Sequence, residues 1–88
     1  MDELARELTE QTATWRKRLD RALEEAEPAT AQGADLMVNV RAYRQDADHF
    51  EQEGDLVRAF EAIVWAWSWL EIGARLEEID WSYPESWD

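Results

Sequence analysis

The stretch Val64-Trp65-Ala66-Trp67-Ser68-Trp69-Leu70 places three tryptophans at alternate positions. Alternation is the period of a β-strand, which would put all three rings on one face, whereas a helix would turn them in two directions. The surrounding sequence decides between these structures, because Asp55 is a suitable helix N-cap and the chain then runs without a helix breaker as far as Gly73. We therefore predict that this stretch is helical.

In a helix the apolar residues around this stretch separate into two stripes, since successive side chains turn by about 100°. The first stripe, predicted to face the core, contains Phe60, Ile63, Trp67 and Leu70. The second lies on nearly the opposite side and contains Trp65, Trp69, Ile72 and Leu76. Between them, on one flank, lie Glu61, Ser68 and Arg75. One stripe is enough to pack a helix in a small bundle, so the second needs a cover: the other two helices, the C-terminal tail or another chain.

Two further amphipathic segments precede this helix. The first, near residues 3–26, is followed by Pro28 and carries the predicted core residues Leu8, Trp15 and Leu19. The second, near residues 31–53, begins after Thr30, ends at Gly54 and carries the predicted core residues Leu36, Tyr43 and Phe50. The third helix is predicted near residues 55–79. Because short connections make neighbouring helices antiparallel, we predict an all-α fold, an antiparallel up-down-up three-helix bundle. The bundle forms a single domain, 1–88, and ends in a short aromatic C-terminal tail at residues 80–88.

The charge balance is strongly acidic. The 88 residues include 21 Asp and Glu against 9 Lys and Arg, which gives a formal net charge of -12, and Lys17 is the single lysine. In molar salt the Debye length is about 3 Å, so the self-repulsion of such a surface is largely screened. This composition is typical of a protein from a high-salt cytoplasm. It argues against nucleic-acid binding, because phosphate contacts need clustered Lys and Arg.

The cellular location is also predicted from composition. The N-terminus, MDELARELTE, is acidic and amphipathic, unlike a signal peptide, and no apolar run approaches the roughly 20 residues of a membrane span. The absence of cysteine excludes disulfides and thiolate metal sites. We expect a cytoplasmic protein with no membrane contact.

Catalytic patterns are few. Arg44 and His49 match the loose Arg-x4-His spacing of HEPN ribonucleases, so a small HEPN-like RNA-processing enzyme is the alternative function. Such an enzyme would have to assemble its site across a dimer. Asp46 and His49 have the spacing of ligands in helical di-iron sites, but those sites need several further ligands from facing helices, and we predict no metal. The sequence contains no Gly-rich phosphate loop or Ser-His-Asp set. We therefore expect a protein without catalytic activity and without a cofactor.

A longer pattern of residues runs through the second and third helices. It consists of Tyr43-Arg44-Gln45-Asp46-Ala47-Asp48-His49-Phe50, then Gly54-Asp55, Ala59-Phe60, Trp65-Ala66 and Trp69-Leu70-Glu71-Ile72-Gly73-Ala74-Arg75-Leu76. It resembles the archaeal domain-of-unknown-function 357 family over about half of the chain. The resemblance implies a small helical archaeal protein and carries over no catalytic residue. Ser68, Glu71 and Ile72 depart from the usual glycine, aspartate and alanine, and each adds bulk at or beside the second stripe.

These observations favour a helical protein-interaction module that associates with itself or with a protein partner. The predicted contact residues are Trp65, Trp69, Ile72 and Leu76, with Trp81, Tyr83 and Trp87 of the tail as their cover or as part of the contact. Tryptophan and tyrosine dominate binding hot spots, so such a surface would supply affinity despite its acidic surroundings.

Overall fold

The computed structural model describes residues 2–87. It contains three α-helices: α1 (Glu3–Glu25), α2 (Ala31–Gln52) and α3 (Leu56–Arg75). Residues 64–70 are helical throughout, so the helical interpretation of the tryptophan stretch is confirmed. A short 3₁₀ turn, Glu85–Trp87, lies in the tail.

Contacts between the helices give the direction of each one. Arg16 of α1 pairs with Glu51 near the end of α2, while Asp20, one turn later in α1, pairs with Arg44, nearly two turns earlier in α2. This crossing order requires α1 and α2 to be antiparallel. The turn at 53–55 reverses the chain again into α3, which gives the predicted up-down-up three-helix bundle.

Each helix begins at a side-chain N-cap. The carboxylate of Asp2 accepts a hydrogen bond from the Ala5 N–H at 2.7 Å. The hydroxyl of Thr30 accepts from the Gly33 N–H at 2.9 Å, and the carboxylate of Asp55 accepts from the Arg58 N–H at 3.1 Å. These bonds satisfy backbone donors that have no partner within the helix, which explains why the helices start where Asp and Thr occur.

Helix α2 ends as its sequence predicts. Gly54 has a left-handed φ of 79°. The Asp55 N–H donates to the Phe50 carbonyl at 2.9 Å, and the Gly54 N–H donates to the Glu51 carbonyl at 3.0 Å. This pair of bonds is the Schellman motif, in which glycine is preferred because it has no Cβ to clash in the left-handed region.

Helix α3 ends with the same motif but without a glycine. The Glu78 N–H donates to the Gly73 carbonyl at 2.9 Å, and the Glu77 N–H donates to the Ala74 carbonyl at 3.1 Å. Glu77 occupies the left-handed position, with φ of 61°. The helix therefore stops at Arg75, and the predicted end near residue 79 is wrong.

The segment after this turn forms an unpredicted strand pair. β1 (Glu27–Pro28) and β2 (Ile79–Asp80) are antiparallel, with Pro28 opposite Ile79. The Ala29 N–H also donates to the Glu78 carbonyl at 2.9 Å. The α1–α2 connection is thus tied to the end of α3, and Ile79 is inserted into the core at 2% exposure.

The core lies along the inward stripe of α3. Of the predicted core residues, Leu19, Ile63, Trp67 and Leu70 are buried. The others are only partly buried: Leu8, Trp15, Leu36, Tyr43, Phe50 and Phe60. The predicted core set did not include Ile79, Met37 or Val40. It also did not include a set of fully or nearly buried alanines, although two of them, Ala22 and Ala47, lie on the apolar stripes of the first two segments: Ala22, Ala47, Ala59, Ala62 and Ala66. These small residues let the helices approach closely, so larger neighbours are displaced to the edges of the contact.

Candidate functional site

The three tryptophans of α3 differ in exposure. Trp67 is 6% exposed, and its indole N–H donates to the Trp15 carbonyl at 3.1 Å. Trp69 is partly buried against the core. Trp65 is 48% exposed, with its ring stacked on Tyr43 at a centroid distance of 6.1 Å and an interplanar angle of 18°. The alternating sequence therefore gives one inward, one intermediate and one outward ring.

The aromatic tail covers Trp67. Trp81 and Tyr83 each lie 5.6 Å from the Trp67 ring, centroid to centroid, and Trp87 lies 6.0 Å from it. The sequence predicts that these tail residues cover the Trp65 surface or form part of it, whereas in the structure they pack around Trp67. The reason is the early end of α3: after the turn at Glu77 and strand β2, the chain emerges on the Trp67 side.

Polar contacts hold the tail against two helices. The guanidinium of Arg18 on α1 lies 4.6 Å from the Trp15 ring centroid and 5.4 Å from that of Trp87, which are cation–π distances. The Tyr83 hydroxyl donates to the Glu71 carboxylate on α3. The tail therefore forms part of the folded domain and also fixes the position of Glu71.

Apart from Trp69, the second stripe has no comparable cover from residues 2–87. Besides Trp65, it exposes Ile72 at 43% and Leu76 at 62%, and Val64 beside it is 46% exposed. We call these four residues the outer face of α3. The stripe was predicted from sequence, but Val64 was not included, because its position between the two stripes gave no reason to choose a side.

A groove runs along this face next to the exposed apolar residues. It has a volume of about 240 Å³ and is lined by Ser68, Glu71, Ile72 and Arg75. The Ser68 hydroxyl donates to the Val64 carbonyl at 2.8 Å, which turns it back onto its own helix. Three of the lining residues are the positions that depart from the family pattern described above. The added side chains at these positions form the walls of the groove.

Within a single chain, Arg44 and His49, the residues of the enzyme alternative, make separate contacts. The Arg44 guanidinium lies 2.7 Å from an Asp20 oxygen and 2.8 Å from an Asp48 oxygen. The hydrogen bond to Asp20 raises the pKa of Arg44 above its ordinary value. His49 is exposed on another side of α2 and contacts Glu53 at 3.2 Å. Arg44 thus joins α1 to α2.

The part of the chain that the structure describes contains neither a metal-binding cluster nor a membrane-spanning helix. No group of three or more His, Cys, Asp or Glu side chains among residues 2–87 is arranged to hold a metal ion. Within the same residues, no helix is long and apolar enough to cross a lipid bilayer.

Comparison with known proteins gives a family and a structural relative. The family described as "Protein of unknown function (DUF357)" matches residues 14–79, which is more than half of the chain. The crystal structure of protein AF1782 from Archaeoglobus fulgidus, a DUF357 protein, is similar at 39% sequence identity, with a TM-score of 0.82 over 91% of this chain and 100% of that one. No curated protein matches. The family match includes α2, α3, β1, the first residue of β2 and the groove, and on this evidence the chain belongs to the DUF357 family.

Proposed function

We propose that this protein is a non-catalytic interaction module of a halophilic archaeal cytoplasm, and that it binds another polypeptide through the outer face of α3. The observation that carries the proposal is the half-exposed ring of Trp65, which contrasts with the buried Trp67 and the four aromatic rings packed around it. A half-exposed tryptophan beside Ile72 and Leu76 provides the aromatic and aliphatic contact area that binding hot spots use.

The setting of Trp65 also supports binding. Its stacking on Tyr43 restricts the ring before any partner arrives, so less side-chain entropy is lost on association. The rest of the surface is acidic, and contacts between acidic surfaces are suppressed at low salt. The outer face of α3 is therefore the part of the surface most suited to a specific protein contact.

The ion pairs support the high-salt assignment. Arg16 and Arg44 are inserted between Asp20, Asp48 and Glu51, so two of the few cations serve to join α1 and α2. The remaining acidic side chains lie mostly on the surface, where molar salt screens their repulsion.

Capture from a native extract in molar KCl tests this function. Tagged wild-type protein is compared with a Trp65→Glu/Ile72→Glu variant and with a matched Val38→Glu control, since Val38 is 65% exposed on α2. Captured products that appear with wild type and control but not with the double variant support the proposal. Identical products from all three proteins would refute it, provided that circular dichroism shows that each is folded.

A further inference from the structure

The groove on α3 has the arrangement of a helix-packing hole. Its four lining residues, Ser68, Glu71, Ile72 and Arg75, stand at positions i, i+3, i+4 and i+7. Four residues so spaced form the hole that accepts one side chain from a facing helix in knobs-into-holes packing. The Glu71 wall is held by the hydroxyl of Tyr83, so the hole is supported by the tail.

The same helix carries an exposed knob just before the hole. Val64 is 46% exposed, and it is β-branched and hence stiff about its first torsion angle. If a second α3 lies antiparallel with Ser68 at the crossing point, Val64 of each copy faces the hole of the other. In the same register Trp65 of each copy lies against Ile72 of the other. Such reciprocity is the requirement of a two-fold symmetric interface.

The charges follow the same symmetry. Glu61 and Arg75 lie at equal distances along α3 on either side of Ser68, about two turns away from it. Both are exposed, and within residues 2–87 neither takes part in a salt bridge. An antiparallel copy sets each Glu61 opposite Arg75 of the other. A parallel copy would set like charges together.

Resting on the proposed function, we propose that the polypeptide bound by the outer face of α3 is a second copy of this chain, packed with α3 antiparallel to α3 and Ser68 at the two-fold axis. The formal net charge of -12 on each copy opposes association in dilute buffer. Molar salt screens this repulsion, so the dimer belongs to the high-salt state of the protein.

Site-directed crosslinking tests the register, and the absence of natural cysteines makes each introduced thiol unique. In molar KCl, Ser68→Cys is expected to form a disulfide-linked dimer under mild oxidation at least about tenfold faster than Val57→Cys, because a disulfide needs Cα atoms within roughly 7 Å. Val57 is 64% exposed on the same helix, but its antiparallel counterpart would lie beyond the end of α3. A short bis-maleimide is expected to join Glu61→Cys to Arg75→Cys in a mixture and neither variant to itself.

Charge reversal provides a second measurement. Glu61→Arg makes the chain less negative than -12, so general repulsion predicts tighter self-association. The pairing with Arg75 predicts the opposite, because charges that are buried at the contact are screened less by molar salt than exposed charges are. Association measured by sedimentation is expected to be roughly tenfold weaker for two lost ion pairs per dimer, and to recover in the double variant Glu61→Arg/Arg75→Glu.

The outcomes separate this inference from the proposed function. Equal crosslinking at Ser68 and Val57, or a wild type that sediments as a monomer at every concentration in molar KCl, overturns the antiparallel dimer. If the wild type is monomeric and yet captures a different polypeptide that the Trp65→Glu/Ile72→Glu variant loses, the proposed function stands without the dimer. If the dimer forms equally well with that variant and the captured products are also unchanged, both proposals fail.

Discussion

Replacing Gly33 by alanine sets two physical effects of opposite sign against each other. Gly33 lies in the first turn of α2, where alanine is the better helix former by about 1 kcal/mol. A Cβ on this residue, however, would lie 1.7 Å from the Glu78 carbonyl oxygen and 2.7 Å from its carbon. Helix propensity alone therefore predicts stabilisation, whereas packing predicts a clash with a backbone that no rotamer change relieves.

The size of the clash follows from what the Glu78 carbonyl holds. The distance between the new Cβ and the Glu78 oxygen must reach 3.0 Å, below which such contacts do not occur, so the carbonyl must move away from α2. This movement weakens the 2.9 Å hydrogen bond that the carbonyl accepts from the Ala29 N–H. That bond contributes about 1 kcal/mol, and partial withdrawal of the adjacent Ile79 from the core costs about 2 kcal/mol more. Subtracting the propensity gain, we expect Gly33→Ala to lower the free energy of unfolding by about 2 kcal/mol.

Urea denaturation in molar KCl, followed by circular dichroism, measures this change. The matched control is Ala34→Gly at the next, exposed position, where only propensity acts and the expected loss is about 1 kcal/mol. A Gly33→Ala protein as stable as wild type or more stable would show that the turn at 77–79 does not press on α2, and the account of how the tail is positioned would then be wrong.

Three further predictions concern the helix end, the core and the acidic surface. Glu77→Gly is expected to raise the free energy of unfolding by about 1 kcal/mol, because glycine adopts the left-handed conformation without strain, and Gly54→Ala is expected to lower it by a similar amount. Urea denaturation measures both changes, and a fall for Glu77→Gly or a rise for Gly54→Ala would contradict the shared Schellman geometry. Trp67→Ala is expected to lower the free energy of unfolding by about 3 to 5 kcal/mol, and Trp65→Ala, measured on the dilute monomer, by less than about 1.5 kcal/mol. Equal losses would mean that the inward and outward assignments are incorrect. The melting temperature is expected to rise from low to molar KCl as self-repulsion is screened, and a flat or falling curve would argue against the high-salt assignment.

The parts of the fold that the sequence predicts are those fixed by local chemistry. Thr30 and Asp55 cap their helices through hydrogen bonds to nearby N–H groups, and Gly54 ends α2 because a left-handed residue is needed there. The two stripes of α3 follow from the helical period alone. Such features depend on a few neighbouring residues, so a single sequence contains the information needed to find them.

The end of α3 could not be found in this way, because its cause lies elsewhere in the chain. Glu77 has no local preference for a left-handed φ, and Ile79 continues the apolar period that predicted a longer helix. The turn is held by contacts that are distant in sequence, namely the pairing of β2 with β1 and the hydrogen bond from Ala29. Where tertiary contacts override local propensity, pattern analysis extends the helix too far.

That same turn determines which aromatic surface remains available for binding. Because Trp81 follows β2 directly and already contacts Trp67, the tail is committed to the inward side of α3 before Tyr83 and Trp87 are reached. Its aromatic rings could in principle have shielded Trp65 from water, but they pack around Trp67 instead. The outer face of α3 is therefore left exposed by the path of the chain rather than by any shortage of apolar residues. A domain of this size buries only about three fifths of its unfolded surface, so an apolar face that its own tail bypasses is where a second chain would add the most to its stability.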